Sequence, residues 1–414
     1  MASITGIIFY VLIFLSVYVQ VFFLITFLEN RKKIVVRDGK IKLKSYSSVT
    51  VIVPIWNEEN TIENTISSLL KINYPKNKLQ LFLIDDGSTD NTWQVISKYT
   101  KYENVKVFHK ENGGKHTALN LGLENLETDY VGCLDADSYA DSESLVRIMS
   151  YFENNRDAMA VAPSIIVTNP KSYIQKAQKA EYFMAVYVKK MLGFLGAIHV
   201  APGPLTIFNR KVFDNLGPYH HAHNTEDMEI AYRMQKNHYA IEQCNDAFVY
   251  TNTPPTVHKL YKQRLRWIYG FINNSIDYRD VLFKKKYGNF SLFTVPAGIV
   301  SVVAVSYLFG RALYAIGNYI YHSYIKIQAV GLEIKPGVPS FDPFFINTQA
   351  FIFITIILYS LIIFAMILGR RMAKEKNWLS VDMFYFVFIF SFIAPFWLMK
   401  AVYSTAVSKK PSWR

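Results

Sequence analysis

The sequence predicts an α/β domain with α-helical transmembrane segments on both sides of it. The 414-residue chain is 51% hydrophobic, and its apolar residues are concentrated in an N-terminal block and in the last third. Between them, strand-like and helix-like patterns alternate, as in an ordinary α/β domain. We therefore expect a transmembrane helix in 1–30, a cytoplasmic domain in 45–280 and a C-terminal membrane region in 290–408.

The N-terminal apolar run, 4–27, is almost uncharged and long enough to cross about 30 Å of hydrocarbon. It lacks the basic start and the small-residue cleavage site of a signal peptide, so we expect it to be retained. Arg31, Lys32 and Lys33 follow it directly, and a basic flank of this kind is typical of the cytoplasmic end of a membrane span.

The last third of the chain contains three further apolar segments. They are 293–316, 350–368 and 381–402. Four simple crossings would leave the C-terminal tail outside the cell, whereas the tail residues Lys409, Lys410 and Arg414 favour the inside. Pro395 could break the last segment into a re-entrant pair of half-helices, so the number of crossings stays open.

The formal net charge is +13, which is compatible with nucleic-acid binding, an acidic substrate or a membrane surface. No nucleic-acid motif is present and many basic residues flank apolar segments, so we expect the lipid bilayer and no nucleic acid as a partner. The two cysteines, Cys133 and Cys244, have no CxxC spacing and disfavour a disulfide framework or a zinc site.

The middle of the chain contains four strand-like runs separated by helical patterns. They are 49–54, 79–84, 105–108 and 130–134. This alternation indicates a largely parallel sheet, whose ligands bind at the carboxyl ends of the strands. Asp85 and Asp86 follow the second run, and Asp135 and Asp137 follow the fourth. The sequence therefore predicts a ligand site beside these acids.

Asp135 and Asp137 are two residues apart, a spacing that points both carboxylates the same way in a strand. Their oxygens suit Mg²⁺ or Mn²⁺, which would neutralise the charge on a departing nucleotide diphosphate. Asp85 and Asp86 could bind a base or a ribose, and Lys115 with its preceding glycines could contact phosphates. Ordinary solvated turns are the alternative for all three motifs.

Two later motifs could carry chemistry. A carboxylate in Thr225-Glu226-Asp227 could cap the helix that follows or take a proton from an acceptor hydroxyl. On a helix, Gln263, Arg266 and Trp267 share one face, where Arg can hold a diphosphate and an indole can stack on a sugar. The alternative for this segment is a basic helix in the lipid headgroup zone that exposes Lys259, Lys262 and Arg264.

In their order and spacing, these motifs resemble the processive family-2 glycosyltransferases, which include cellulose, chitin, hyaluronan and poly-N-acetylglucosamine synthases. The resemblance covers roughly 49–269 and the flanking spans. The motifs that carry it are Pro54-x-Trp56-Asn57-Glu58, Asp85-Asp86-Gly87-Ser88, Gly114-Lys115, Asp135-Ala136-Asp137, Thr225-Glu226-Asp227 and Gln263-x-x-Arg266-Trp267.

The resemblance implies a GT-A (Rossmann-like) fold and a set of roles. Pro54, Glu58, Asp85 and Asp86 would hold the uridine, Lys115 the diphosphate, Asp135 the sugar, and Asp137 the Mg²⁺ or Mn²⁺. Asp227 would be the general base of a catalytic pair with Glu226. Gln263 and Arg266 would close the site, and Trp267 would lie under the acceptor sugar. The segment 202–210 resembles the acceptor side, with Gly203 and Arg210, although Pro202 replaces the usual serine, and 253–258 resembles a gating loop.

The resemblance also implies an activity. A membrane-bound, inverting hexosyltransferase would polymerise a UDP-sugar, with UDP-N-acetylglucosamine expected first, into a β-linked polysaccharide and move it across the bilayer. The alternatives are a hyaluronan-type synthase with two donors, transfer of one sugar to a lipid, and a transporter or binding subunit with a degenerate domain. We expect a multi-pass plasma-membrane protein with a cytoplasmic catalytic domain and interfacial helices near 171–195 and 258–286. An accessory subunit or a homo-oligomer could complete the translocation path.

Overall fold

The computed structural model describes residues 4–34, 41–331 and 350–408. The tail residues Lys409, Lys410 and Arg414, whose charge bears on the topology, lie outside the described residues. Within the described ranges, the middle of the chain forms a mixed α/β domain, and the apolar segments on both sides of it are helical.

The domain is built on one eight-stranded sheet. Its strands are β1 Val49–Ile55, β2 Leu79–Asp86, β3 Val105–Lys110, β4 Tyr130–Cys133, β5 Ser138–Ala140, β6 Ala158–Val167, β7 Ile207–Asn209 and β8 Ala240–Thr251. The strand order is β3-β2-β1-β4-β7-β6-β8-β5. The first four strands are parallel, whereas β7 is antiparallel to both its neighbours and β5 is antiparallel to β8. The predicted largely parallel sheet is thus confirmed for β1 to β4, and β6 is also parallel to β8, whereas every pairing of β5 and β7 is antiparallel.

Helices cover both faces of the sheet. They are α2 Ile62–Leu70, α3 Thr92–Ser97, α4 Lys115–Glu124, α5 Ser144–Asn154, α6 Tyr173–Phe194, α7 Lys211–Leu216, α8 Glu226–Lys236 and α9 Val257–Asp277. Alternate residues of β1 point to opposite faces. Val51 and Val53 join the buried cluster that contains Ile66 of α2, whereas Ile52 joins the cluster that contains Leu119 of α4. Because both of its faces are buried, β1 is apolar at every position except Thr50.

Within the described ranges, four helical segments are long and apolar enough to cross a membrane. They comprise α1 Ile4–Asn30, α10 Val295–Val330, α11 Ala350–Met372, and a last segment in which α12 Val381–Tyr385 and α13 Ser391–Ala406 are joined by the π-helical turn Phe386–Phe390. The predicted break at Pro395 is wrong, because this residue lies inside α13 and the segment continues as one helix. A π-turn ahead of a proline is one of the local adjustments by which helices accommodate it.

The α/β domain packs against the apolar helices through α6 and α9. α6 contacts α1, α11 and α12, and α9 contacts α13. The backbones of α6 and α11 approach so closely that a Cβ atom at Gly369 would overlap the Phe183 carbonyl. Nearby, the buried Arg370 pairs with Asp382 at 2.7 Å. α6 and α9 therefore lie between the sheet and the apolar helices.

Candidate active site

A single cavity of about 1260 Å³ extends from the carboxyl ends of β1 and β2 along α6 to α10 and α13. All but two of the predicted site residues line it. They are Pro54, Glu58, Asp86, Lys115, Asp135, Asp137, Gly203, Glu226, Asp227, Gln263, Arg266 and Trp267. The exceptions are Asp85 and Arg210. The fold thus brings together motifs that are separated in sequence by up to about half the length of the chain.

The structure corrects the predicted uridine contact of Asp85. Asp85 and Asp86 are consecutive in β2, so their side chains point to opposite faces. The Asp85 side chain is fully buried, lies 2.7 Å from His109 Nδ1 and accepts the Ser88 backbone N–H at 3.2 Å. Asp85 therefore holds the turn that follows β2 and does not line the cavity.

Asp86, on the cavity side, organises the glycine loop that precedes α4. Its carboxylate accepts the backbone N–H groups of Gly113 at 3.1 Å and Gly114 at 2.9 Å, and pairs with Lys110 Nζ at 2.7 Å. Gly114 has a φ of 91°, a conformation that favours glycine. The loop's N–H groups are thus bound to a carboxylate, and Lys115 is the loop residue whose cation faces the cavity.

Lys115 joins two of the acidic motifs. Its Nζ atom lies 2.8 Å from Asp135 Oδ1 and 3.0 Å from Glu226 Oε1. Burial would lower the pKa of Lys115, but these two carboxylates raise it well above its usual value. Gly203 lies against this pair, and a Cβ atom there would be 2.9 Å from both Asp135 Oδ1 and Lys115 Nζ. A side chain at 203 would therefore displace the Lys115–Asp135 pair.

The Asp135–Asp137 motif follows the carboxyl end of β4, as predicted, but it lies on the turn before β5, so the strand alternation invoked for its side chains does not apply. Both carboxylates nevertheless line the cavity. Burial, together with Asp135 and Glu58, raises the pKa of Asp137 to about 6. This concentration of carboxylates beside a cavity is a site where a cation would relieve repulsion.

Glu226 and Asp227 lie in the first turn of α8 and have different environments. Burial would raise the pKa of Glu226, but Lys115 holds it below its usual value. Burial and the neighbouring Glu226 raise the pKa of Asp227 to about 6. The Asp227 carboxylate has no ion-pair partner among the described residues. Of the two acids, Asp227 is thus the one suited to accept a proton.

The backbone just before this pair is strained. Ala222, His223 and Asn224 all have positive φ angles, of 42°, 53° and 62°. Consecutive left-handed residues other than glycine are uncommon and persist only where their surroundings hold them. One such contact comes from Arg266 of α9, whose Nη1 donates to the Asn224 carbonyl at 3.2 Å. Arg266 thus connects the turn before α8 to the Gln263–Trp267 motif.

Gln263, Arg266 and Trp267 all line the cavity, so their predicted common face is confirmed. Arg264, which the alternative interpretation of this helix placed in the headgroup zone, is buried and pairs with Glu181 of α6. Its guanidinium carbon lies 4.1 Å from the centre of the Trp267 ring system. Arg264 therefore packs against the indole, and the alternative does not hold for this residue.

The structure also corrects the predicted acceptor contact of Arg210. This residue follows β7 and immediately precedes α7, outside the cavity. Its side chain is 43% exposed, and its Nε lies 3.4 Å from Asp214 on the next turn. The chain turns from strand to helix at this point, so the side chain points to the surface.

The segment 253–258, predicted as a gating loop, is attached to α6. Gln175 Nε2 donates to the Thr253 carbonyl at 2.9 Å, and Gln178 Nε2 donates to the Pro254 carbonyl at 2.8 Å. The last two residues of the segment begin α9. Its role as a gate stays a prediction.

The cavity residues that sequence reasoning missed include Lys189 of α6 and His199, which follows that helix. Tyr182, Ala185 and Lys189 recur at helical spacing and share the face of α6 that lines the cavity. This periodicity was the available signal for Lys189. Nothing in the local sequence around His199 indicates a cavity position.

Residues 50–217 match the family model described as glycosyl transferase family 2. The chain therefore carries a family 2 glycosyltransferase domain. A poly-beta-1,6-N-acetyl-D-glucosamine synthase from Staphylococcus epidermidis is 27% identical over 78% of this chain and 76% of the relative. One from Staphylococcus aureus is 29% identical over 61% of each chain. The predicted family and the predicted hexosyltransferase class are confirmed.

Among solved structures, a mannosyltransferase from Pyrobaculum calidifontis in complex with GDP-Man and Mn²⁺ is similar, with a TM-score of 0.53. It is 18% identical, and the match covers 77% of this chain and 96% of that one. At this identity the likeness shows the fold alone. The GT-A fold implied by the motifs is confirmed.

Proposed function

We propose that this family 2 glycosyltransferase transfers N-acetylglucosamine from UDP-N-acetylglucosamine onto a growing β-linked polysaccharide. The names of its Staphylococcus relatives support this sugar. The observation that carries the proposal is the cavity, which joins the acidic motifs to the apolar helices α10 and α13. An enzyme with this layout can bind a nucleotide sugar at one end and hold a polymer at the other.

A divalent cation, Mg²⁺ or Mn²⁺, fits the acidic residues of the cavity. Among the described residues, no three His, Cys, Asp or Glu side chains are grouped as a complete metal site. Mg²⁺ often takes only one or two protein carboxylates and completes its shell with phosphate oxygens and water. Asp135 is already paired with Lys115, which leaves Asp137 as the carboxylate that would hold the ion. When bound, the ion would neutralise charge on the leaving diphosphate.

The other cavity residues would bind either the nucleotide-sugar donor or the acceptor sugar. Pro54, Glu58 and Asp86 lie where the nucleoside would bind, at the ends of β1 and β2. Lys115 and Arg266 are the cations of the cavity wall on this side, and they would face the diphosphate. Trp267, supported by Arg264, would stack on the acceptor sugar.

Asp227 would act as the general base. Its carboxylate would take the proton of the acceptor hydroxyl while that oxygen attacks the anomeric carbon of an α-linked donor. The bond from this carbon to the phosphate oxygen breaks, and its electron pair leaves with UDP. Attack from the opposite face gives a β-linkage by inversion. One base suffices because no covalent intermediate forms on the protein.

The membrane end of the cavity supports export of the product. α10 contributes Gly298, Ser301, Val302 and Val305 to the wall, and α13 contributes Leu398. We propose that the catalytic domain is cytoplasmic and that the chain enters the bilayer between these helices. With only four apolar segments in the described residues, an accessory subunit or a homo-oligomer could complete the path.

The test is a UDP-release assay on the protein purified in nanodiscs, with a panel of UDP-sugars, with and without Mn²⁺ or Mg²⁺, and with sizing of the product. We expect metal-dependent release with UDP-N-acetylglucosamine and a long product. A requirement for two donors would indicate a hyaluronan-type synthase, and a one-sugar glycolipid would reject polymerisation. Absence of release with every donor, under conditions where UDP still binds, would count against an active enzyme.

A further inference from the structure

The two ends of the cavity differ in composition. Beyond Asp227, its wall is formed mainly by aliphatic and aromatic side chains of α6, α9, α10 and α13. Lys189 of α6 and His199, which follows that helix, also line this membrane-side chamber. Two basic groups in a mainly apolar chamber need an explanation, because burying them without partners is unfavourable.

Lys189 and His199 line the same cavity as the proposed base, Asp227. The Ala201 N–H donates to the Asp227 backbone carbonyl at 3.0 Å, which fixes the segment that carries His199 next to α8. Burial lowers the pKa of Lys189 to about 8, against an opposing effect of Asp227. Burial, and then Lys189, lowers the pKa of His199 to about 4. Lys189 is therefore within electrostatic range of both Asp227 and His199.

Neither group has a partner of its own. Within 4–34, 41–331 and 350–408, Lys189 makes no hydrogen bond or ion pair, and the buried His199 Nδ1 lacks a hydrogen-bond partner. The adjacent Lys190 contrasts with this, because its Nζ donates to the Gln243 carbonyl at 3.0 Å. The donor of Lys189 is thus available to a ligand in the chamber.

We propose that Lys189, with His199 beside it, forms an acceptor subsite that binds the amide carbonyl of an N-acylated sugar in the growing chain. The inference rests on the proposed function and deepens it. The ammonium group donates to the carbonyl oxygen, and Val302, Val305 and Leu398 provide an apolar wall for the acyl methyl group. A donor next to an apolar surface matches the two parts of an acetamido group.

The charges around the chamber favour this neutral ligand over an anionic one. Asp227 lies at the boundary, and Asp135, Asp137 and Glu226 are close behind it. An added phosphate or carboxylate would be attracted by Lys189 but repelled by these acids. An amide carbonyl satisfies the ammonium donor without adding a negative charge.

The test measures binding of two tetrasaccharides to the full-length protein in nanodiscs by isothermal titration calorimetry, in the presence of UDP. One is β-linked N-acetylglucosamine, and the other is β-linked glucose of the same length and linkage. We expect the wild type to bind the acetylated ligand about tenfold more tightly. Lys189→Met and His199→Phe should remove most of this preference, and Lys189→Arg should keep part of it.

The matched control is Lys176→Met, which changes a lysine on the same helix outside the cavity lining. It should retain the preference, and every variant should bind UDP as the wild type does. Equal binding of the two tetrasaccharides by the wild type, or an unchanged preference in Lys189→Met, would overturn the subsite. A phosphate-bearing tetrasaccharide that binds more tightly through Lys189 would overturn it in favour of an anionic acceptor. Failure of the proposed function would appear separately, as absence of UDP release from UDP-N-acetylglucosamine.

Discussion

Charged side chains are arranged differently in the two halves of the cavity. The strand-end half lies at the carboxyl ends of the strands, and the membrane-side half lies next to α10 and α13. In the strand-end half, charged groups are paired across motifs, as Lys115 is with Asp135 and Glu226. In the membrane-side half, Lys189 and His199 stand in an apolar chamber without partners among the described residues. In the first half, Lys115, Asp135 and Glu226 are paired before a ligand arrives, and Asp137 and Asp227 lack an ion-pair partner among the described residues, whereas in the second half neither basic group has one.

This contrast indicates what each half does. A paired network holds its groups in fixed positions, which transfer chemistry requires, because a displaced carboxylate cannot reach its proton. An unpaired donor in an apolar chamber is satisfied only by a ligand, so it can recognise a polymer that moves. We therefore expect variants of the two halves to affect different measurements.

The largest effect is expected for Asp227→Asn. The amide keeps the size of the side chain but cannot accept the acceptor's proton, so turnover should fall at least about 10³-fold while UDP still binds. UDP release and UDP calorimetry measure the two properties. Asp214→Asn, at an acid outside the cavity, should be unaffected. Substantial turnover by Asp227→Asn would reject Asp227 as the base.

The next largest effect concerns the metal. Asp137→Asn should reduce turnover about 100-fold at low Mn²⁺ and raise the Mn²⁺ concentration needed for half-maximal activity, because a neutral amide is a weaker ligand than a carboxylate. UDP release across a Mn²⁺ titration measures this. An unchanged titration curve would show that the ion is held elsewhere.

The pH dependence should be smaller and should reflect the two cavity carboxyl groups whose pKa is raised to about 6, Asp227 and Asp137. A group with a pKa near 6 is protonated below that pH, and a protonated carboxyl cannot act as a base. The kcat/KM value should therefore be level above pH 6 and fall about tenfold per pH unit below it. Thermal melts over the same range would exclude unfolding as the cause. A profile that is flat down to pH 5 would contradict the role of Asp227.

Stability gives a direct comparison of the two halves. Arg264→Met removes the partner of Glu181 and should cost about 2 kcal/mol, less than for a fully buried pair because Glu181 is 24% exposed. Lys189→Met removes a cation that has no partner and should leave the melting temperature unchanged or raise it. Differential scanning fluorimetry in one detergent compares them. Equal losses of stability would mean that Lys189 is also paired.

Sequence predicted the strand-end half well because its signals are local. The apolar strands, the acids at their ends and the helical face of Gln263, Arg266 and Trp267 depend on short-range periodicity. Asp85 shows the limit. Two consecutive acids cannot both face the cavity, and which one does depends on the face of β2 that α4 covers.

The membrane-side half was not predictable because distant segments form it. Lys189 resembles any other lysine of a basic helix until α10 and α13 close the chamber around it. The alternative interpretation of α9 placed Arg264 at the surface because its partner, Glu181, is 83 residues earlier in the chain. The Pro395 prediction was wrong for a related reason, since the π-turn that precedes this proline has no local sequence signature.

The smallest effect is expected for Arg210→Ala. This variant tests a residue for which the family resemblance and the structure disagree. The resemblance places Arg210 on the acceptor side, whereas the structure places it outside the cavity, with an exposed partner in Asp214. Exposed ion pairs contribute less than about 1 kcal/mol, so stability should change little. Turnover and tetrasaccharide affinity should remain within about twofold of the wild type, because no part of the side chain borders the cavity. A weaker tetrasaccharide complex with normal UDP binding would instead show that the acceptor extends out of the cavity, over the start of α7.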